Sequence, residues 1–263
     1  MIIESAQNKI FKEAVSLKEK KFRDESGFFL VEGEKQVSEI TKEWNIKYLL
    51  VSSAYKRKTV ENTTSFIISE KIFGRIVSAV TPQGIAAVVE KKKFDADEIL
   101  RRNGFFVILE KISDPGNLGA IIRSADAFGA KAVFVSSQSA DIYSDKTMRS
   151  TMGSFFHLPV IAEVSMQEII ALMKKNKIPV LAASLNAKKM LSECNFSAKS
   201  AFIIGNESAG ISAETEKSVD TLFKIEMPGK AESLNAAIAA SIVMYEIADK
   251  KCNIQAAKQS NNR

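Results

Sequence analysis

Short continuous apolar runs, separated by stretches with helical spacing, constrain the fold of this chain more than any other feature. In the second half of the chain the runs occupy residues 105–109, 132–135, 179–183, 201–204 and 222–225. Runs without polar alternation are typical of strands that are buried on both faces, as in parallel sheets. The stretches between them, such as residues 118–128, have the length and spacing of helices. The sequence therefore predicts an α/β fold class, with a parallel sheet that is covered by helices on both sides.

The first part of the chain repeats this alternation more weakly. Strand-like runs occupy residues 28–31, 48–51, 66–68 and 85–89, and helical spacing covers residues 10–20, residues 34–44 and the stretch that ends at residue 80. A charged stretch at residues 90–98 lacks strand periodicity and is either a linker or the solvated start of a helix. We therefore expect two domains, a small α/β domain at residues 1–95 and a parallel-sheet domain at residues 96–263.

The last predicted helix runs from about residue 232 to residue 250. Leu234, Ile238, Ile242 and Tyr245 recur on it at helical spacing, which predicts that this face packs on the sheet. The basic tail beyond residue 249 is expected to be frayed.

Composition limits the partners and the compartment. The chain has 263 residues, a formal net charge of +6 and a pI of about 9.1, which suits a polyanion partner and fits an ordinary basic protein equally well. No apolar run reaches the roughly 18 residues of a membrane span, and the start lacks the apolar core of a signal peptide. Cys194 and Cys252 form no CxxC pair, so neither a disulfide framework nor a zinc site is expected. We expect a cytoplasmic protein without a metal or a membrane contact.

Three polar loops follow predicted strands and carry the candidate site. They lie at residues 110–117, 205–211 and 226–235. An open parallel sheet binds its ligands beyond the carboxyl ends of its strands, which is where these loops are expected. Taken singly, each loop has an ordinary structural explanation. Asn117, Ser233 or Asn235 can cap the helix that follows, and Glu207 can be an exposed acid in a plain turn.

Taken together and in this order, the loops resemble the three motifs of the SpoU (TrmH-like) family of RNA ribose methyltransferases, within the SPOUT superfamily. The matching segments are Asp114-Pro115-Gly116-Asn117, Gly205-Asn206-Glu207 and Ser233-Leu234-Asn235. The resemblance covers about residues 105–250, and residues 27–33 add a weaker likeness to the family's L30e-like substrate-binding domain. It implies a C-terminal SPOUT domain with a deep trefoil knot, preceded by a small RNA substrate-binding domain.

The resemblance also implies the ligands and the site residues. The expected cofactor is S-adenosyl-L-methionine, the expected substrate is structured RNA, with 23S ribosomal RNA first and transfer RNA second, and the expected assembly is a homodimer. The implied cofactor-binding residues are Ala183, Ser184, Leu185, Gly205, Asn206, Gly210, Ile225, Met227, Ser233 and Leu234. The implied catalytic residues are Arg123, Asn117, Glu207, Ser233 and Asn235.

A methyl group on a sulfonium is already activated, so much of the catalysis is positioning. The proton of the ribose hydroxyl must nevertheless leave, and Arg123 is the family's catalytic candidate. A guanidinium has a pKa above about 12 and cannot readily act as a free base. We therefore favour a role in which Arg123 holds the target phosphate and polarises the hydroxyl, and the proton acceptor stays open. His157 is the single histidine and is read as a packing or surface residue.

Basic residues outside the loops are candidates for RNA contact. Arg149 lies in a segment, residues 144–154, that also resembles the family. Lys9 and Lys12 begin a basic stripe that reaches Arg23. Such cations can bind an RNA backbone without regard to sequence, and solvated helix faces are the ordinary alternative.

Two other functions compete with methyl transfer. A nicotinamide-dependent enzyme on a Rossmann fold predicts GxGxxG after its first strand, whereas Gly116-Asn117-Leu118-Gly119 has a different spacing. A non-catalytic RNA-binding module on the same fold stays open, because only an activity separates the two.

Overall fold

The computed structural model describes residues 2–57 and 63–260, with side chains described as far as residue 250. The chain forms two compact units. Unit 1 contains the residues up to Lys93 together with Asp141–His157, and unit 2 contains Phe94–Ala140 and the chain from Leu158 onward. The segment Asp141–His157 therefore belongs with the N-terminal part, although the sequence assigned it to the domain at residues 96–263.

The elements are numbered in chain order. Up to residue 100 they are β1 (Ile2–Ile3), α1 (Lys9–Ser16), α2 (Lys20–Ser26), β2 (Phe28–Glu32), α3 (Glu34–Ser38), β3 (Ile46–Ser52), β4 (Ser65–Ile68), α4 (Glu70–Phe73), β5 (Ile85–Glu90) and α5 (Ala96–Ile99). Beyond it they are β6 (Gly104–Leu109), α6 (Pro115–Ala127), β7 (Ala132–Ser136), α7 (Asp145–Thr151), β8 (Val160–Val164), α8 (Met166–Lys175), β9 (Val180–Ala183), β10 (Lys189–Met190), β11 (Lys199–Ile204), α9 (Ala213–Ser218), β12 (Thr221–Lys224) and α10 (Ala236–Ser260).

Unit 1 is built on a five-stranded mixed sheet in the order β1-β4-β3-β5-β2. β5 is antiparallel to β2 and β3, whereas β4 is parallel to β1 and β3. Phe11 and Leu17 pack with Leu30, Leu50 and Val88 of three strands in a buried core. The predicted small α/β domain ahead of the parallel sheet is confirmed.

The segment Asp141–His157 is held in unit 1 by aromatic packing and by an ion pair between Asp141 and the buried Arg23. The centroid of the Phe155 ring lies 5.9 Å from that of Phe29 and 5.6 Å from that of Trp44. Arg23 is only 4% exposed and donates to the Asp141 carboxylate at 2.5 Å. Removing Asp141 would leave the buried Arg23 charge without its partner, so the loss of Asp141 is expected to destabilise unit 1.

Unit 2 is built on a seven-stranded sheet in the order β10-β12-β9-β11-β6-β7-β8, in which all neighbouring pairs are parallel. On one face, Phe106 and Ile108 belong to the same core as Ile170 of α8. Phe105 and Val107 alternate with them along β6 and are buried as well, so both faces of this strand are covered. α6 and α10 pack on each other. The predicted parallel α/β sheet is confirmed.

The last helix buries a different face from the predicted one. Its buried residues in the part with described side chains are Ala236, Ala237, Ala240, Val243, Met244 and Ile247. The prediction that Ile238 and Tyr245 pack on the sheet is wrong, since they are 53% and 59% exposed. Alanines give little periodic signal, so the larger exposed residues dominated the pattern. The backbone helix also continues to Ser260, about ten residues beyond the predicted end near residue 250. Even so, no described helix is both long enough and apolar enough to cross a membrane.

Several predicted helices are shorter or divided. Residues 10–20 are divided between α1 and α2, residues 34–44 contain only α3, and the stretch ahead of residue 80 contains only α4. β8, α8 and α9 lie outside the predicted elements. Short helices depend on tertiary packing more than on their own propensity, so sequence spacing does not fix their ends.

Candidate active site

Several loops of unit 2 leave neighbouring strands at the same edge of the sheet. β12, β9, β11 and β6 are consecutive in the strand order. Because all of them are parallel, the loops that follow them lie together beyond their carboxyl ends. The loops at residues 110–117, 205–211 and 226–235 are therefore placed where such a sheet binds a ligand.

The first loop ends in a capped helix. α6 begins at Pro115 and its N-cap is Asp114. The Asp114 carboxylate accepts a hydrogen bond from the backbone N–H of Asn117 at 2.8 Å. Proline is favoured at the first helical position, which has no helical partner for an N–H. The possibility that Asn117 caps this helix is therefore wrong. Because Asp114 is the cap, the Asn117 side chain is available for contacts with other loops.

The Glu207 carboxylate is the acceptor on which the first two loops converge. It accepts from Asn117 Nδ2 at 2.9 Å and from the backbone amides of Ser113 at 3.2 Å and Asp114 at 3.4 Å. Asn206 Nδ2 lies 3.4 Å from the same carboxylate. Hydrogen bonds to a charged acceptor are stronger than neutral ones, so this carboxylate holds the two loops together.

The carboxylate also fixes the orientation of two asparagines. A carboxylate only accepts, so the Asn117 amide turns its NH2 group toward Glu207 and its Oδ1 away. Asn117 Oδ1 accepts from Asn235 Nδ2 at 2.9 Å. Asn235 Oδ1 accepts from the amides of Ala237 at 2.9 Å and Ile238 at 3.3 Å, so Asn235 caps α10 as predicted. The three side chains Glu207, Asn117 and Asn235, hereafter the Glu207 network, join all three loops.

Asn206 shapes the second loop from within the protein. Its Nδ2 donates to the Lys111 carbonyl at 2.9 Å and to Ser113 Oγ at 2.8 Å. Its Oδ1 accepts from the amides of Ser208 and Ala209, both at 3.0 Å. The amide of this predicted cofactor-binding residue is thus already engaged on both sides.

The surroundings keep Glu207 ionised. Burial raises the pKa of Glu207, but hydrogen bonds from the Asn117 side chain and from the backbone amides of Glu207, Ser113 and Asp114 lower it by more. The net pKa of Glu207 lies below its ordinary value. The network is therefore intact at neutral pH.

Two glycines fold the second loop tightly beside the end of β11. Asn206 and Gly210 exchange two backbone hydrogen bonds of 2.9 Å. A Cβ on Gly205 would overlap the backbone of Gly210. Gly210 has a φ of 67°, which favours glycine. This close approach requires Gly205.

The residues around these loops fit the implied cofactor. The partly buried members of the predicted cofactor set are Ala183, Ser184, Asn206, Ile225, Met227 and Leu234. Leu185, in the loop after β9, is 65% exposed. Ser184 Oγ is engaged in a 2.5 Å hydrogen bond to Glu216. A nucleoside ring binds apolar side chains on its faces and backbone polar groups at its edge, and these loops offer both.

Two predicted catalytic residues lie outside the Glu207 network. Arg123 is on α6, about one and two-thirds turns beyond Asn117. Its side chain is exposed and makes no hydrogen bond or ion pair within the described part of the chain. The Ser233 side chain is likewise exposed and without a hydrogen bond among the described residues. Both are accessible to a ligand, and neither has a structural role that the fold requires.

The predicted RNA-binding lysines lie in unit 1. Lys9 and Lys12 are exposed on α1. Further along the basic stripe, Lys18 Nζ donates to two backbone carbonyl groups of unit 1 and Arg23 is buried. The stripe beyond Lys12 is therefore partly structural.

Arg149 and His157 also belong to unit 1. Arg149 Nη1 donates to Glu32 at 2.7 Å while 38% of the Arg149 side chain stays exposed. His157 Nε2 lies 3.1 Å from a Glu39 carboxylate oxygen at the surface. His157 is thus a surface residue, in agreement with its sequence interpretation.

Ser113 and Asp114 belong to the site although they are outside the predicted catalytic and cofactor sets. They contribute backbone N–H groups to the Glu207 carboxylate. Every residue except proline has such a group, so the residue type does not reveal this role. Only the Asp-Pro-Gly pattern, which favours an N-cap at Asp114, could have revealed one of them.

Comparisons with known proteins agree with this geometry. Residues 104–245 match the SpoU rRNA Methylase family, and residues 8–87 match the MRM3-like substrate binding domain. The 23S rRNA (guanosine(2553)-2'-O)-methyltransferase RlmP of Bacillus subtilis (strain 168) is 35% identical over 251 residues, which cover 93% of this chain and 98% of that protein. The 23S rRNA (uridine(2479)-2'-O)-methyltransferase of Streptomyces viridochromogenes is 32% identical over 239 residues, which cover 85% of this chain and 83% of that protein.

A solved structure has the same fold. The AdoMet-bound rRNA methyltransferase from Sinorhizobium meliloti has a TM-score of 0.85 at 29% identity, covering 95% of this chain and 98% of that chain. The family match at residues 104–245 spans more than half of the chain and contains every residue of the Glu207 network. The chain therefore belongs to the SpoU rRNA methylase family.

Proposed function

We propose that this protein transfers a methyl group from S-adenosylmethionine to a ribose 2′-hydroxyl of 23S ribosomal RNA. The Glu207 network carries the proposal, because it joins three separate loops at the edge of the sheet where a ligand binds. The two similar proteins named above methylate ribose in 23S rRNA, one at a guanosine and the other at a uridine. We infer the same RNA class, 23S rRNA, for this chain, but we infer no particular nucleotide because the two proteins modify different ones.

The cofactor would be held by the loops after β9, β11 and β12, through Leu185, Gly205 and Met227 among others. When bound, S-adenosylmethionine supplies a methyl group that its sulfonium has already activated. The AdoMet-bound relative and the accessible Leu185 support this assignment. We also expect these loops to form the trefoil knot that the family resemblance implies.

Arg123 binds the phosphate beside the target ribose and polarises the 2′-hydroxyl. Its guanidinium makes no ion pair within the described residues, so its planar set of donors can meet a phosphate. Glu207 is a positioning residue rather than the base, because its lowered pKa makes it a weak acceptor of a proton and its oxygens already accept several hydrogen bonds. The network fixes α6, and thereby Arg123, relative to the cofactor loops.

The protein acts as a homodimer through the exposed face of α10. Ile238 and Tyr245 are 53% and 59% exposed, and Ile242 between them is partly buried. Phe128 packs against the Tyr245 ring with centroids 6.2 Å apart, which extends the apolar surface. Exposed contiguous apolar surface of this kind marks an interaction site, and a second copy would cover it by two-fold symmetry.

Unit 1 contributes RNA contacts through Lys9, Lys12 and Arg149. All three present positive charge at least partly to solvent, and phosphate contacts of this kind supply affinity that falls with salt. We also expect this protein to act in the cytoplasm, in keeping with a ribosomal RNA substrate.

The test is methyl transfer in vitro. The purified protein is incubated with labelled S-adenosylmethionine and unmodified 23S rRNA, with unmodified transfer RNA in parallel. We expect label in 23S rRNA at a nucleotide whose 3′ phosphodiester resists alkaline cleavage, because a 2′-O-methyl group blocks that reaction. Label in transfer RNA alone would favour the transfer RNA enzyme. RNA binding without transfer under these conditions would favour the non-catalytic module.

A further inference from the structure

We propose that a cavity in unit 1 binds one unpaired nucleobase of the substrate RNA, and that Gln36 hydrogen-bonds the edge of that base. The inference rests on the proposed function, since it requires an RNA substrate. The cavity has a volume of about 200 Å³ and lies between α3, the loop at residues 77–83 and α7. Its lining includes Glu32, Gln36, Val77, Pro82, Arg149 and Met152.

Gln36 carries the argument. Its side chain is only 6% exposed, and its buried Oε1 has no hydrogen-bond partner among the described residues. A buried polar group without a partner destabilises a folded protein, and native structures contain few of them. Because Gln36 also lines the cavity, a turn of its side-chain amide would bring the covered Oε1 to a ligand that supplies the partner. An amide offers an acceptor beside two donors, a pattern that is complementary to the edge of a base.

The size and the mouth of the cavity suit a single base. Pockets for drug-sized ligands measure about 300–1,000 Å³, so a cavity of about 200 Å³ has room for one ring system rather than for a whole nucleotide. Met152 lines the cavity and is 45% exposed, and Val80 in the adjoining loop is fully exposed. Apolar side chains at a mouth can cover the face of an unstacked base, and a methionine sulfur makes favourable contacts with aromatic rings.

Hydrogen bonds hold the walls of the cavity in place. Glu32 is 8% exposed and accepts from the Ser78 amide at 2.6 Å and from Arg149 Nη1 at 2.7 Å. Gln83 Oε1 accepts from the Glu34 amide at 2.8 Å. These contacts fix the loop at residues 77–83 against β2, α3 and α7. Preformed walls reduce the ordering that binding requires.

Arg149 brings a positive charge to the mouth next to the single lining carboxylate, Glu32, whereas the charge of Lys35 is paired with Glu39. Glu32 engages only Nη1 of Arg149, and 38% of that side chain is exposed. The remaining guanidinium donors of Arg149 can bind the phosphate next to the inserted base. The two residues therefore have separable roles, Gln36 on the base and Arg149 on the backbone.

The experiment measures RNA binding by the full-length protein and separates these roles by their salt dependence. The variants are Gln36→Leu, Gln36→Met and Arg149→Gln, and Gln7→Leu is the control because Gln7 is exposed in unit 1 outside the cavity. The probes are fluorescent octamers A8, C8, U8 and (GU)4, titrated at several salt concentrations. We expect Gln36→Leu and Gln36→Met to weaken binding of the preferred octamer by about tenfold without a change in the salt slope. Arg149→Gln should weaken all four octamers and reduce the slope by about one.

Two further readouts keep the test decisive. The melting temperature of Gln36→Leu should equal or exceed that of the wild type, because the substitution removes an unpaired buried amide. Ultraviolet cross-linking of the wild-type protein to the same octamers should label peptides that line the cavity, and this result does not depend on how the variants fold. Absence of these peptides among the cross-linked ones would overturn the proposal.

Other outcomes separate this proposal from the proposed function. If the wild type binds RNA and transfers methyl groups but the Gln36 variants bind all four octamers like Gln7→Leu, the cavity does not bind a base. A protein partner or a purely structural amide would give that result. A uniform loss with a lower salt slope in the Gln36 variants would also contradict a base contact. If the wild type neither binds RNA nor transfers methyl groups, the proposed function fails and this inference fails with it.

Discussion

Glu207→Gln tests whether the carboxylate holds the loops of the site together. The substitution preserves shape and replaces one oxygen by an NH2 group. If the remaining side-chain oxygen still accepts from Asn117 Nδ2, the new NH2 group faces donors such as the backbone N–H of Ser113. Two donors cannot bond each other, so the hydrogen bond from Ser113 is lost. The other bonds change from charged to neutral. Hydrogen bonds to charged groups contribute about 1.5–3 kcal/mol and neutral ones about 0.5–1.5 kcal/mol. For a carboxylate that is only partly buried, we expect a loss of about 2–3 kcal/mol in the free energy of unfolding.

The sign of the pH dependence follows from the lowered pKa of Glu207. Its pKa in the folded state lies below the unfolded value of about 4.3, so the carboxylate stabilises the fold above that pH. This stabilisation is lost as the pH falls through the folded pKa. The difference in unfolding free energy between the wild type and Glu207→Gln should therefore be constant at neutral pH and shrink below about pH 4.

The assay is urea unfolding at a series of pH values, paired with single-turnover methyl transfer. Glu214→Gln is the control, because Glu214 is exposed on α9 and undergoes the same change of charge. The control should change stability by no more than about 0.5 kcal/mol and leave methyl transfer intact, whereas Glu207→Gln should slow transfer at least about tenfold. If Glu207→Gln matches the control in both measurements, the network does not hold the site.

The remaining predictions concern Arg123, Gly205 and α10. Arg123→Ala should change stability by no more than about 0.5 kcal/mol while single-turnover transfer collapses, and Arg123→Lys should not restore it because lysine lacks the planar fork; normal transfer in the alanine variant would remove Arg123 from the mechanism. Gly205→Ala should destabilise unit 2 by about 1–3 kcal/mol and abolish cofactor binding in calorimetry, because the new Cβ would overlap the backbone of Gly210. In the control Gly229→Ala the new Cβ has open space, so this variant should bind the cofactor normally. Equal binding by both variants would refute the tight loop. Ile238→Glu combined with Tyr245→Glu should convert a dimer into a monomer in sedimentation, and an unchanged dimer would exclude this face.

Local pattern was sufficient for the strands of unit 2 and for part of the site. The five apolar runs lie within two residues of β6, β7, β9, β11 and β12, because buried parallel strands are contiguous apolar stretches. Asn117, Glu207 and Asn235 followed from the resemblance, and the structure brings them into contact. Their catalytic roles stay predictions.

Long-range packing was not accessible in the same way. Nothing local in Tyr143 or Phe155 indicates that these rings join a core with Phe29, at centroid distances of 4.7 and 5.9 Å. A fragment that starts near residue 97 lacks Phe29 and would expose the rings of Tyr143 and Phe155. Such a fragment therefore does not correspond to unit 2 alone. Likewise, the spacing on α10 placed Ile238 and Tyr245 on one face, but it could not show that this face is exposed rather than packed on the sheet.

A map of 2′-O-methylation in the ribosomal RNA of cells with and without this gene tests the proposed function most sharply. We predict that one ribose of 23S rRNA loses its methyl group when the gene is deleted, that the wild-type gene restores it, and that a gene encoding Arg123→Ala does not. Unchanged methylation of every 23S rRNA ribose, or loss of a methyl group from a base instead of a ribose, would contradict it.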